Sequence, residues 1–230
     1  MACRGAATQA PGPPPVSGSR RVDPRRSCWQ ARSVGTRPII RRTPGTRRLT
    51  RAEYDRLIGL GVLDEDEPIE LLSGEMVVKE PQAGPHATAV YLVQQALQVA
   101  FGRGWLVRSQ LPIALDDDSE PEPDACVVRG VARDYRDDHP KRPALVVEVA
   151  DDSLARDRVR KASLYARAGV ADYWIANLRE RALEVYREPV RSARASPGWR
   201  YIHVERFGPK AVVSPLAAPR ARVRVADLLP

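Results

Sequence analysis

The chain has 230 residues, an apolar fraction of 43% and a formal net charge of +8, enough for one domain plus a tail. It has no run of about eighteen apolar residues, which excludes a membrane-spanning helix and argues against a membrane partner. Cys3, Cys28 and Cys126 make neither a disulfide framework nor a zinc spacing, which suits a reducing, cytoplasmic setting.

Charge divides the chain in two. Residues 1–48 hold eleven arginines against one acid, Asp23, which leaves 26 bases and 28 acids for the rest. The part expected to fold is therefore close to neutral, and bulk charge gives it no basic face. Residues 1–45 are rich in Arg, Pro, Gly and Ala, and Pro11-Gly12-Pro13-Pro14-Pro15 can neither pack nor build a ladder. They are expected to form a disordered basic leader, or to follow from a start codon assigned too far upstream. A basic arm that binds nucleic acid nonspecifically is the sharper alternative. Residues 46–230 are expected to be the folded domain.

Thr50-Arg51-Ala52-Glu53 fits a capping box, so a short amphipathic helix follows, with Tyr54, Leu57, Ile58 and Leu60 on its apolar side. After an acidic loop at 64–67, Ile69–Leu72 and Met76–Val78 read as two strands around a Ser73-Gly74 turn. Glu70 sits inside an apolar strand and is the better site candidate; Glu75 is more at home in solvent. Pro85-His86 opens a helix running to about Phe101, with Val90, Val93, Leu97 and Ala100 along one face. Residues 105–115 suggest one or two strand segments interrupted by Pro112. The acidic run at 116–120 reads as a solvated turn, Glu122 as an exposed bystander and His139 as solvent-exposed.

Two short apolar runs then each carry one carboxylate. Asp124 opens Ala125-Cys126-Val127-Val128, and Glu148 lies inside Leu145-Val146-Val147-Glu148-Val149-Ala150. Strand alternation puts Glu148 on a face with Val146 and Ala150, and Leu145, Val147 and Val149 on the other. A bare carboxylate there costs several kcal/mol unless a cation or several donors meet it. An arginine would suffice for Glu148 alone. If the two strands pair, however, both acids converge, and two hard oxygen ligands plus water are what Mg²⁺ requires. Next comes a helix for which Ser153 is a suitable cap. It carries Asp157 and Lys161 four residues apart, a spacing that an ordinary surface ion pair also explains. Gly169 fits its C-terminal cap. Strands follow at 171–176, 182–186 and 201–207, with a last one near Val223 and Val225. The fold class is α+β or α/β, a central mixed sheet flanked by helices.

Pro123-Asp124 followed by Glu148 on the next strand resembles the PD-(D/E)XK nuclease superfamily, although Ala150 stands where that motif has lysine. Several stretches together resemble the Uma-type family of restriction endonucleases: Glu148-Val149-Ala150-Asp151-Asp152-Ser153, Asp157-Arg158, Lys161, Leu164-Tyr165, Ala168-Gly169-Val170 and Asp172-Tyr173-Trp174. In that family the lysine has moved to the following helix, and Lys161 matches it. The Ile69–Glu75 hairpin and His86 also fit.

The resemblance implies a restriction-endonuclease-like fold and an Mg²⁺-dependent (or Mn²⁺-dependent) endodeoxyribonuclease. Asp124, Glu148 and Lys161 would be catalytic, with the metal on Asp124 and Glu148 helped by Glu70, and with His86 touching phosphate or a metal-held water. DNA is the expected partner, with a homodimer as a further expectation. Two alternatives stand beside this one. The fold could serve as a noncatalytic binding or assembly module, its carboxylates salt-bridged to arginine, or it could hydrolyse another phosphoester.

Overall fold

The computed structural model describes residues 46–64, 67–79, 81–194 and 198–230, of which Thr46–Pro230 form one compact unit. The leader expected over residues 1–45 lies outside the described residues, as do parts of the acidic loop at 64–67 and of the loop at 191–197.

Helix α1 (Arg51–Gly59) starts at the expected capping box: Glu53 N–H donates to Thr50 Oγ1, and Thr50 N–H to Glu53 Oε2. Only Tyr54 of its apolar set is buried, and Leu60 is 66% exposed. Strands β1 (Ile69–Leu72) and β2 (Glu75–Val78) form the hairpin. Ser73 and Gly74 both take positive φ, 52° and 77°, as a two-residue turn between twisted strands demands. A Cβ on Gly74 would fall 2.5 Å from Arg48 Cβ and 2.9 Å from Leu49 O, so glycine is required there for space as well as for φ.

A six-stranded sheet carries the rest: β3 (Trp105–Arg108), β4 (Ala125–Arg129), β5 (Leu145–Ala150), β6 (Asp172–Asn177), β7 (Ala182–Arg191) and β8 (Trp199–Phe207), adjacent in that order. All neighbours are antiparallel except β5 and β6. A parallel pair needs a long crossover, and the segment that crosses over is the one bearing Asp157 and Lys161. Helix α2 (Gly84–Phe101) covers one face: Val90, Val93 and Leu97 pack with Leu145, Val147, Val149 and Trp174. The crossover covers the other, where Ala162, Tyr165 and Ala166 pack with Val146, Ala150, Tyr173 and Ile175. The alternation expected around Glu148 therefore holds: Val146 and Ala150 join one apolar cluster, Leu145, Val147 and Val149 the other.

Four expectations are corrected. Strand β3 ends at Arg108, and residues 109–115 are irregular, with Gln110 at φ 52°. Val225 begins a 3₁₀ turn rather than extending β10 (Val223–Arg224), which pairs with β9 (Val212–Val213). The acidic run is no solvated turn: Asp116 and Asp118 pair with Arg167, and Glu120 is buried with Arg51 3.5 Å away. Burial, reinforced by Asp55 and offset by Arg51, pushes Glu120 up to about 7. Glu122 is half-buried and pairs with Lys79.

Candidate active site

The crossover is not one helix. Helix α3 (Leu154–Arg156) passes into a π-helical turn, Asp157–Lys161, and then into α4 (Ala162–Arg167). π-Turns are rare and collect at functional sites. This one turns Asp157 and Lys161 inward, 2% and 5% exposed, so a surface ion pair does not describe them. Ser153 takes helical φ and ψ and does not cap; its hydroxyl donates to Asp157 Oδ2 (2.5 Å). Tyr173 OH donates to the Asp157 carbonyl (3.1 Å). Arg158 grips the buried Glu184 of β7 with two bonds, Nε to Oε2 (3.0 Å) and Nη2 to Oε1 (2.5 Å). Together these contacts hold the turn against the sheet.

Glu148 projects from β5 toward that turn, 2% exposed. Its Oε1 accepts from Lys161 Nζ (3.0 Å) and from Tyr165 OH (2.6 Å). Lys161 Nζ also lies 3.4 Å from Glu70 Oε1, while Glu122 N–H donates to Glu70 Oε2 (3.2 Å). Asp124 sits just before β4, so antiparallel pairing with β5 brings it beside Glu148. Its Oδ2 accepts from Val149 N–H (2.8 Å) and lies 3.3 Å from His86 Nε2, at the start of α2. Each of the two central acids thus has one oxygen doubly engaged. Among the described residues, Asp124 Oδ1 and Glu148 Oε2 take no hydrogen bond.

These side chains line one cleft of about 130 Å³. All five expected residues, Asp124, Glu148, Lys161, Glu70 and His86, are on its wall. Glu75 is not: it is exposed and paired with Arg160 (2.8 Å) and Arg48 (3.2 Å). Reasoning from sequence did not single out Arg156, nor the hydroxyl of Tyr165, whose ring lies in the core while its OH reaches Glu148. Tyr165 lies four residues after Lys161 and so on the same helical face, the one signal that could have found it.

The electrostatics follow from burial and crowding. Burial opposes the Glu148 charge most strongly; Lys161 favours that charge, and Asp124, Asp157 and Glu70 oppose it, so the carboxyl sits well above its usual range. Burial alone would lower Lys161, but Glu148, Glu70, Asp157 and Asp124 outweigh it and keep the ammonium charged. The hydrogen bond to Asp124 raises His86 against its own desolvation. Seven carboxylates line the cleft (Glu70, Glu122, Asp124, Glu148, Asp151, Asp152, Asp157) against Lys79, His86, Arg156 and Lys161, with Arg179 beside the cleft pairing with Asp151 and Asp152. Such an excess of negative charge favours a bound cation.

Among the described residues, no three His, Cys, Asp or Glu side chains already stand together as a metal cage. Mg²⁺ does not ask for one. It keeps several waters and takes one or two carboxylates, and the donors present, hard oxygens with one free lobe on each of two acids, fit that demand.

A family model described as "Uma2: Putative restriction endonuclease" matches residues 51–219. A comparison with curated proteins finds no match. Among solved structures, a "putative nuclease belonging to DUF820" from Anabaena variabilis superposes with a TM-score of 0.56 at 20% identity, covering 75% of this chain and 96% of that one. At that identity the likeness speaks for the fold. The family match takes in the hairpin, both carboxylate strands and the π-turn lysine, and the chain belongs to the Uma2 family of putative restriction endonucleases.

Proposed function

We propose that the protein is a metal-dependent endonuclease that hydrolyses DNA phosphodiester bonds, with Mg²⁺ or Mn²⁺ held by Asp124 and Glu148. The observation that carries this reading is the matched engagement of those two acids. Each has one oxygen held by two partners and one that takes no hydrogen bond among the described residues, and both residues line the same cleft. Glu70 adds a third carboxylate and shares Lys161. Held there, such an ion would supply Lewis acidity toward a phosphoryl oxygen and toward the attacking water. Lys161, kept cationic by its acid neighbours, orients that water and meets the negative charge that develops. His86, which leans on Asp124 through Nε2 and lines the cleft, is the group expected to meet a phosphate oxygen.

The test is nicking of supercoiled plasmid in Mg²⁺ by Asp124→Asn, Glu148→Gln and the double variant, with melting curves to show that each stays folded. Each single variant loses activity by at least about a hundredfold. A double variant that cuts as fast as the parent defeats the assignment. Titration calorimetry separates the noncatalytic alternative, since absence of binding at millimolar Mg²⁺ or Mn²⁺ would indicate a binding module. Competition between plasmid and small phosphodiesters separates the other hydrolase.

A further inference from the structure

The cleft presents a difficulty for the substrate proposed above. Its wall is acidic, DNA is a polyanion, and one divalent ion offsets only part of the excess. The cations on the wall are mostly committed. Lys161 faces Glu148 and Glu70, Lys79 pairs with Glu122, and His86 leans on Asp124. Arg156 differs. It lines the same cleft one residue before the π-turn, and among the described residues it makes neither an ion pair nor a side-chain hydrogen bond. Its Nε is buried and without an acceptor. The same holds for the Nε of Arg51, Arg108 and Arg167, but each of those three spends its terminal nitrogens on a protein acceptor, and Arg156, among the described residues, does not. The guanidinium fork suits a phosphate, which it can meet with two parallel N–H···O bonds.

We propose that Arg156 is the phosphate-holding residue of this cleft, gripping the backbone of the bound strand through its guanidinium. The inference rests on the nuclease reading and adds to it the residue that admits a polyanion to an acidic site. Arg156 contacts phosphate before and during the reaction alike, so its loss weakens binding rather than the chemical step.

The experiment measures fluorescence-anisotropy binding of a short DNA duplex across a salt series, and nicking kinetics in Mg²⁺, for the parent, Arg156→Gln, Arg156→Lys and Arg224→Gln. Arg224 pairs with Asp227, is not on the cleft wall, and controls for one lost charge. Arg156→Gln is expected to bind about tenfold more weakly. Its slope of log affinity against log salt should be shallower by about 0.9. Its KM should rise with kcat nearly unchanged, and its melting temperature should stay at the parent value. Arg156→Lys keeps the charge without the fork and falls between the two. Arg224→Gln matches the parent. If Arg156→Gln binds and cuts like Arg224→Gln while the parent is active, this inference fails and the nuclease reading stands. A parent that neither binds nor cuts DNA overturns that reading, and this inference with it.

Discussion

At the scale of single residues, the site is governed by which oxygen each donor occupies. Lys161 and Tyr165 both take Glu148 Oε1, so the lysine is at once a candidate catalytic group and the counterion of a buried acid. Replacing it by alanine leaves Glu148 buried with the tyrosine as its remaining donor, and breaking such a pair costs about 3–5 kcal/mol. The direction of the pH dependence follows from the raised carboxyl of Glu148. In Lys161→Ala the native state binds a proton that the unfolded chain releases, so stability falls as pH rises above the ordinary carboxylate range. Urea melts at pH 5 and pH 8 should show a much larger deficit at pH 8, together with loss of nicking. An equal deficit at both would mean that Glu148 does not feel the lysine's absence.

At the scale of elements, the π-turn is what makes the crossover functional. A regular helix would alter the direction of Lys161 relative to β5, and the clamp from Arg158 to Glu184 opposes that. Arg158→Ala removes both bonds to a buried carboxylate and should cost about 2 kcal/mol. It should also lower kcat without raising KM, since Arg158 holds the turn and does not line the cleft. Arg158→Lys should recover part of the stability and less of the rate, because one ammonium cannot reproduce two parallel bonds. Denaturant melts and steady-state nicking check both; an unaltered kcat in a destabilised Arg158→Ala would detach the clamp from the site.

At the scale of the whole molecule, the near-neutral balance of the folded part and the nine arginines of residues 1–45 invite separation by truncation. A chain of residues 46–230 is expected to melt cooperatively near the full-length value and to keep Mg²⁺-dependent nicking. Its nonspecific DNA affinity at low salt should fall, and the dependence of binding on salt should become shallower, as loss of a basic arm requires. Identical salt slopes for the two chains would remove the leader from any role in binding. No described helix is long and apolar enough to cross a membrane.

The sequence by itself determined what local chemistry controls. The Thr50 capping box, the Ser73-Gly74 turn and the Gly169 cap follow from backbone constraints within a few residues. The two faces of β5 follow from alternation along an apolar run. Asp124, Glu148 and Lys161 stood out because a carboxylate in an apolar strand needs a reason, and the family pattern supplied one. What only the tertiary structure decided are features that depend on partners distant in the chain. Glu184 lies 26 residues after Arg158, and its clamp marks a π-turn that helical spacing cannot distinguish from an α-helix. Arg167 answers Asp118 across 49 positions and turns an apparently solvated acidic run into a half-buried ion-pair network. Periodicity reports which side of an element is apolar, but a buried charge is satisfied by whichever group the fold brings to it, and that meeting is written in three dimensions.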